Sequence, residues 1–228
     1  MITETSDGCE VVEECDANDA IIESFNSDDS QQHRNVPKDV LIAYNPRTGI
    51  QHIRYFAGPY QLEKDESSVV IQIDGVCRAK ETRYAQGGWG VFFGPESQYN
   101  TWGLLPADAP QNSTFAGLYA LMIAVEIIRD EVPLHPGRIF IMSDSLYLAQ
   151  AFTEYMSVWR QNGKITAPHW NFVLHNRMIL DDLAWSSDQK MEVKFWHVPR
   201  KLNMDADALA NRAFNRKLKD EPTYVRIL

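Results

Sequence analysis

Three aspartates in this 228-residue chain sit in settings that suit ligands for divalent ions, and a glycine occupies the place for a fourth carboxylate. Asp74 ends the apolar-rich run Val69-Val70-Ile71-Gln72-Ile73. Asp144 follows Ile139-Phe140-Ile141-Met142-Ser143, and Asp207 lies within Asn203-Met204-Asp205-Ala206-Asp207-Ala208-Leu209-Ala210. The glycine is Gly117, in the segment Pro110 to Leu118. Phosphodiester hydrolysis develops charge on both the attacking and the leaving oxygen. Two divalent ions about 4 Å apart neutralise that charge when carboxylates from different elements converge on them. Mg²⁺ suits such a site because it takes oxygen ligands and needs few from the protein.

Each acid also has a plainer role. Asp74-Gly75 can open a turn, Ser143-Asp144-Ser145 can cap a helix, and Asp205 and Asp207 suit a first helical turn, where the dipole favours negative charge. Their joint occurrence in this order favours the chemical reading.

The elements needed to position these acids can be read from hydrophobic period. Val69–Ile73 predicts a strand, Gly87–Phe93 its hairpin partner and Tyr99–Leu104 a third strand. Leu118, Leu121, Met122, Val125 and Ile128 recur at helical spacing, which predicts a helix over about 114–130. Pro133 and Pro136-Gly137 end that region, and Arg138–Met142 reads as a buried strand. Short helices are expected near 145–152 and 153–161, then a breaker at Asn162-Gly163 and a helix over about 169–185. Met191–His197 gives a fifth strand, and Asn203 is a good N-cap for a final helix running to about Lys217. The expected fold class is α/β, a mixed five-stranded sheet with helices on both faces.

Over residues 67–217 these blocks resemble a ribonuclease H domain. Asp74-Gly75 followed by Gly87-Gly88-Trp89-Gly90 resembles the family's first hairpin. Gln111–Leu118 resembles the loop and helix that carry its glutamate, and Ser143-Asp144-Ser145 with Tyr147 resembles its fourth-strand motif. Trp159-Arg160-Gln161-Asn162-Gly163-Lys164 resembles its basic handle. Val198-Pro199-Arg200 with Asn203, Ala206, Asp207, Leu209 and Ala210 resembles its closing helix and is the most specific block.

The resemblance implies that Asp74, Asp144 and Asp207 are catalytic and bind two Mg²⁺ ions, with Mn²⁺ as a substitute. Asp74 would bridge both ions, Asp144 would help hold the one that activates water, and Asp207 would hold the other. The implied reaction is endonucleolytic hydrolysis of the RNA strand of an RNA–DNA hybrid. Asn112, Ser113, Thr114, Arg160, Lys164, Arg200 and Lys201 fall where the family contacts nucleic acid.

The departures also carry information. The family's glutamate aligns with Gly117, which offers no ligand, so weak metal binding and slow turnover are expected. Glu126 is no replacement, because nine residues at about 100° each turn it to the opposite helix face. The family's mobile histidine is absent, and Arg200-Lys201 occupy a shortened loop of a kind that some branches have. Lys164 stands where the handle has an aromatic. The alternative reading is a catalytically inactive domain that binds nucleic acid or a protein partner.

Residues 1–36 hold ten acids and one base, so they carry the whole net charge of −9, and the remaining 21 acids and 21 bases cancel. Their composition predicts an acidic disordered tail, which is also a candidate surface for a protein partner. Ala20-Ile21-Ile22 is its one apolar patch. Residues 37–66 predict an arm or hairpin that packs on the main domain, with strands at Val40–Tyr44 and Ile50–Phe56, and residues 218–228 a C-terminal tail. Three cysteines without ligand spacing argue against a disulfide framework. The first residues show no basic and then apolar leader pattern, and no run of eighteen apolar residues exists. An intracellular monomer, cytoplasmic or nuclear, without membrane contact, is expected.

Overall fold

The computed structural model describes residues 20–133, 135–161, 169–185 and 191–215, with the backbone alone at residues 160 and 161. Four N-terminal strands come first: β1 (Ile21–Ser24), β2 (Ile42–Asn45), β3 (Ile50–Gly58) and β4 (Gln61–Lys64). Then follow β5 (Ser68–Arg78), β6 (Gln86–Phe92), β7 (Thr101–Leu104), α1 (Ser113–Asp130) and β8 (Arg138–Ser143). Helices α2 (Leu146–Gln150) and α3 (Met156–Gln161) are joined by a π-helical stretch, Ala151–Tyr155. The chain closes with α4 (Trp170–Trp185), β9 (Glu192–His197), a 3-10 turn (Arg200–Leu202) and α5 (Met204–Arg212).

The five expected strands are β5 to β9. They form the middle of a mixed sheet, and β1 to β4 extend it to nine strands. Strands β5, β8 and β9 are parallel neighbours, while β5, β6 and β7 form an antiparallel meander. β5 and β8 read as nearly continuous apolar runs because both of their faces are covered.

Alternation along the strands sorts the core into two layers. Val69, Ile71 and Ile73 on β5, Ile139 and Ile141 on β8, and Val193 and Phe195 on β9 share one cluster with α1 and α4. Val70, Phe140, Met142 and Trp196 point the other way and pack with Phe25, Val36, Leu41 and Ile53. Phe25 meets Phe140 and Trp196 edge-on, with ring centroids 4.9 and 5.1 Å apart.

That second layer corrects the N-terminal expectation. Residues 20–36 are not disordered, and the described part of the acidic segment is built into the fold. Strand β1 runs parallel to β9, pairing Ile21 with Glu192 through Ser24 with Phe195. Ala20 is clamped onto α4, where its N–H donates to Asp181 and its carbonyl accepts from Arg177. Glu23 pairs with Lys194 at 2.6 Å. Its apolar residues stay folded because they cover an otherwise bare sheet face. The predicted hairpin of residues 37–66 corresponds to β2 and β3, and β4 adds a further antiparallel strand beside β3. Residues 1–19 and 218–228 lie outside the described residues. Among the described residues no helix is long and apolar enough to cross a membrane.

Candidate active site

Register brings the first two aspartates together. Parallel pairing of β5 with β8 reaches Gln72 and Met142, so two residues further on Asp74 and Asp144 are neighbours across adjacent strands. Asp74 was expected at a strand end. It lies instead inside β5, which continues to Arg78 beyond the last pair with β8. Gly75 is therefore a strand residue and not a turn. Its hydrogen-only side chain lets α1 dock, because a Cβ there would lie 2.2 Å from the Gly117 nitrogen and 2.5 Å from the Ser113 carbonyl oxygen.

Asp207 arrives from the other face. Asp74 pairs with Gly90 on β6, and a Cβ at Gly90 would lie 2.5 Å from the Ala210 nitrogen and 2.6 Å from the Ala206 oxygen. Helix α5 thus rests on the strand beside Asp74, with Asp207 in its first turn. Asn203 fixes that approach. It makes no capping bond to its own helix, and its Nδ2 donates across to the Ile73 carbonyl at 3.0 Å while fully buried. The cap expected there is a tie between helix and strand.

All three aspartates line one cleft of about 400 Å³, together with Gly117, Ser113, Thr114, Arg200, Arg78 and Lys80. Asp74 is 8% exposed. Burial pushes its pKa from 3.8 up to about 7, with Asp144 and then Asp207 adding repulsion, against the opposing pull of the Gly75 N–H and Arg200. A carboxylate raised by other carboxylates is in a setting where a cation is favoured. Arg200 already supplies one, since its guanidinium lies 2.5 Å from an Asp207 oxygen.

Among the described residues no three His, Cys, Asp or Glu side chains are spaced to enclose a metal ion. The oxygen donors do fit one hard cation that keeps water and phosphate among its ligands, because Mg²⁺ is commonly held by one or two carboxylates. Asp74 and Asp144 would hold it. Gly117 adds no oxygen donor to the cleft, and Asp207 is engaged by Arg200. Glu126 does not line the cleft and lies instead near Tyr119 and Arg129.

The expected nucleic-acid contacts are distributed unevenly. Ser113, Thr114 and Arg200 face the cleft. Asn112 caps α1, its side-chain oxygen accepting from the Phe115 N–H at 2.8 Å. Lys201 is exposed in the 3-10 turn. The Arg160 side chain and Lys164 lie outside the described residues. Arg78 and Lys80 were missed in the sequence, because they follow a segment that reads as a turn but continues as strand. Asn211 was also missed. It lines the cleft and its Nδ2 donates to the Asp207 carbonyl at 3.0 Å.

The ribonuclease H family profile, described as RNase H, matches residues 66–215. Ribonuclease H1 of Rattus norvegicus is 26% identical over 176 residues, covering 72% of this chain and 59% of the relative. This chain therefore spans about three fifths of that relative's length. Ribonuclease H of Nitrosococcus oceani is 32% identical over 151 residues, covering 64% of this chain and 92% of the relative. Among solved structures, RNase H1 from the halophilic archaeon Halobacterium salinarum is 22% identical, covering 64% of this chain and 96% of that one, with a TM-score of 0.42.

Proposed function

Because this chain belongs to the ribonuclease H family, we propose that it hydrolyses the RNA strand of RNA–DNA hybrids with divalent-ion assistance, slowed by the glycine at 117. The observation that supports this most is the meeting of Asp74, Asp144 and Asp207, from three separate elements, in one cleft. Helix and strand packing alone does not require a buried carboxylate facing two others.

In the reaction, a water oxygen bonds to phosphorus and the bond from phosphorus to the ribose 3′-oxygen breaks. The electron pair stays on that oxygen, which takes up a proton, leaving a 3′-hydroxyl and a 5′-phosphate. A bound Mg²⁺ supplies charge neutralisation and lowers the pKa of water beside it. Asp74 and Asp144 would hold that ion from adjacent strands. Ser113 and Thr114 offer hydroxyls from the start of α1, on the cleft wall where a ribose 2′-hydroxyl would distinguish RNA from DNA. Arg200 places a cation in the same cleft.

Gly117 favours a second reading, a domain that binds the hybrid without cutting it. Cleavage of a labelled hybrid by the full chain, with Mg²⁺ and with Mn²⁺, separates the two. Cleavage that disappears in Asp74→Asn supports the nuclease. Binding without cleavage under both ions supports the second reading.

A further inference from the structure

Where β5 leaves the cleft, the surface carries aromatic rings and guanidinium groups that the reaction at Asp74 does not use. We propose that this strip holds an unpaired, single-stranded segment continuous with the hybrid in the cleft, so that the chain favours hybrids with a single-stranded overhang. This rests on the nuclease reading above and goes beyond it, because it names the form of substrate that the cleft prefers.

The strip begins inside the cleft and is built by register. Asp74, Val76 and Arg78 alternate onto one face of β5, opposite Gly90, Gly88 and Gln86 of β6. That is the face on which α5 rests. Arg78 and Lys80 line the cleft. The Arg78 guanidinium also lies over the Phe214 ring, 4.2 Å from its centre. Phe214 follows α5 and is seated on Gly88, where a Cβ would come within 2.7 Å of the ring.

The loop of residues 79–85, which closes the β5–β6 hairpin, continues the strip. The Arg83 guanidinium lies 4.8 Å from the centre of the Tyr84 ring, and Tyr84 is 68% exposed. The Thr82 hydroxyl donates to the Ala79 carbonyl at 2.8 Å and accepts the Tyr84 N–H at 3.1 Å. Ala79 and Glu81 have φ of 50° and 61°, values that residues other than glycine seldom adopt. A defined turn therefore presents the ring.

These groups fit unpaired bases. Bases in a duplex stack on each other, whereas unpaired ones can stack on aromatic rings and on guanidinium planes. Residues 78–85 hold three bases and one acid, Glu81, a balance that favours a phosphate backbone. A similar pair, Arg212 over Trp102, supplies an internal control. Arg212 is five residues after Asp207, about 140° around α5, so it lies on the flank away from the cleft.

Fluorescence anisotropy on the full-length chain tests this, in EDTA so that nothing is cut. A blunt RNA–DNA hybrid is compared with the same hybrid carrying an overhang of about six nucleotides. RNA and DNA overhangs, at either end, are measured separately. At least one overhang should tighten binding about tenfold, and its strand is the one that crosses the strip. Tyr84→Ala should remove most of that gain and Tyr84→Phe should keep it, with blunt-hybrid binding unchanged in both. Phe214→Ala should also reduce the gain, with thermal unfolding to check that α5 stays docked. Trp102→Ala should leave the gain intact. Equal affinity for blunt and overhanging hybrids would overturn the proposal and leave the nuclease reading standing. So would a gain that survives Tyr84→Ala, or one that Trp102→Ala removes. No binding of any hybrid, together with no cleavage under Mg²⁺, would overturn both.

Discussion

Helices α1 and α5 reach the same strand pair from opposite faces, and they differ in what they bring. Both dock through glycines. Gly75 leaves no room for a Cβ beneath α1, and Gly88 and Gly90 leave none beneath α5. Both come close enough to put a side chain into the cleft. From α5 comes the carboxylate of Asp207, whereas α1 brings the hydroxyls of Ser113 and Thr114 and, at Gly117, only a hydrogen. Space is not the reason, because a Cβ at Gly117 would meet only Leu148, at 3.4 Å. The difference teaches that the two helices dock in the same way, while only α5 brings a carboxylate to the cleft.

The sharpest break in this comparison is predicted at Asp74, which both helices face. Asp74→Asn should lower hybrid cleavage by at least about 10²-fold, several kcal/mol of transition-state stabilisation. The same substitution should stabilise the metal-free fold. The native pKa of Asp74, about 7, lies above its unfolded value of 3.8, so the folded state binds the proton more tightly. That contribution is fully present below about pH 4, falls as pH rises, and is gone above about pH 7. The loss amounts to at most about 4 kcal/mol. Denaturant unfolding in EDTA at pH 4 and pH 8 should show wild type losing more stability than Asp74→Asn across that range. Equal losses would mean that Asp74 is not held against its neighbours.

Next come the glycines that let the helices approach. Gly75→Ala places a methyl against backbone of α1 and should cost about 3 kcal/mol, at the upper end of overpacking. Gly90→Ala should cost less, about 1–2 kcal/mol, because the nine-residue α5 can shift more easily than the largely buried α1. Thermal unfolding of the two variants checks the order, and a larger loss in Gly90→Ala would reverse it.

The smallest effect on stability is expected at Asn203. Asn203→Ala removes one buried hydrogen bond to the Ile73 carbonyl, worth about 1 kcal/mol. Its effect on cleavage should be larger than that figure converts to, because the bond fixes Arg200 and Asp207 relative to Asp74. Comparing the change in unfolding free energy with the change in kcat/KM tests this.

The central elements were legible in the sequence where the period was long and the partners near. The helix predicted over 114–130 is Ser113–Asp130, because the apolar spacing there runs for five turns. Asp144 and Asp207 stood in local settings that the fold kept. Strand β1 was hidden for a physical reason. Ile21–Ser24 is four residues long, it sits in an acidic segment, and β9, its partner, lies some 170 residues away. Composition spoke for disorder, and only tertiary burial of Phe25 and Val36 overrules it. Gly75 misled in a similar way. A glycine after an aspartate reads as a turn, yet here it is needed for close helix packing, so β5 runs on and carries Arg78 to the cleft. The tie made by Asn203 was read as a cap, because an asparagine before a helix gives no sign that it reaches to another strand.

The most direct test of the central claim is the rate of Mg²⁺-dependent hybrid cleavage by the native chain beside Gly117→Glu. If α1 has lost only its carboxylate, the native chain cleaves slowly and Gly117→Glu is faster by about tenfold or more. If a folded Gly117→Glu is no faster than the native chain, the missing carboxylate is not what separates the two faces, and the account of an otherwise intact site is wrong.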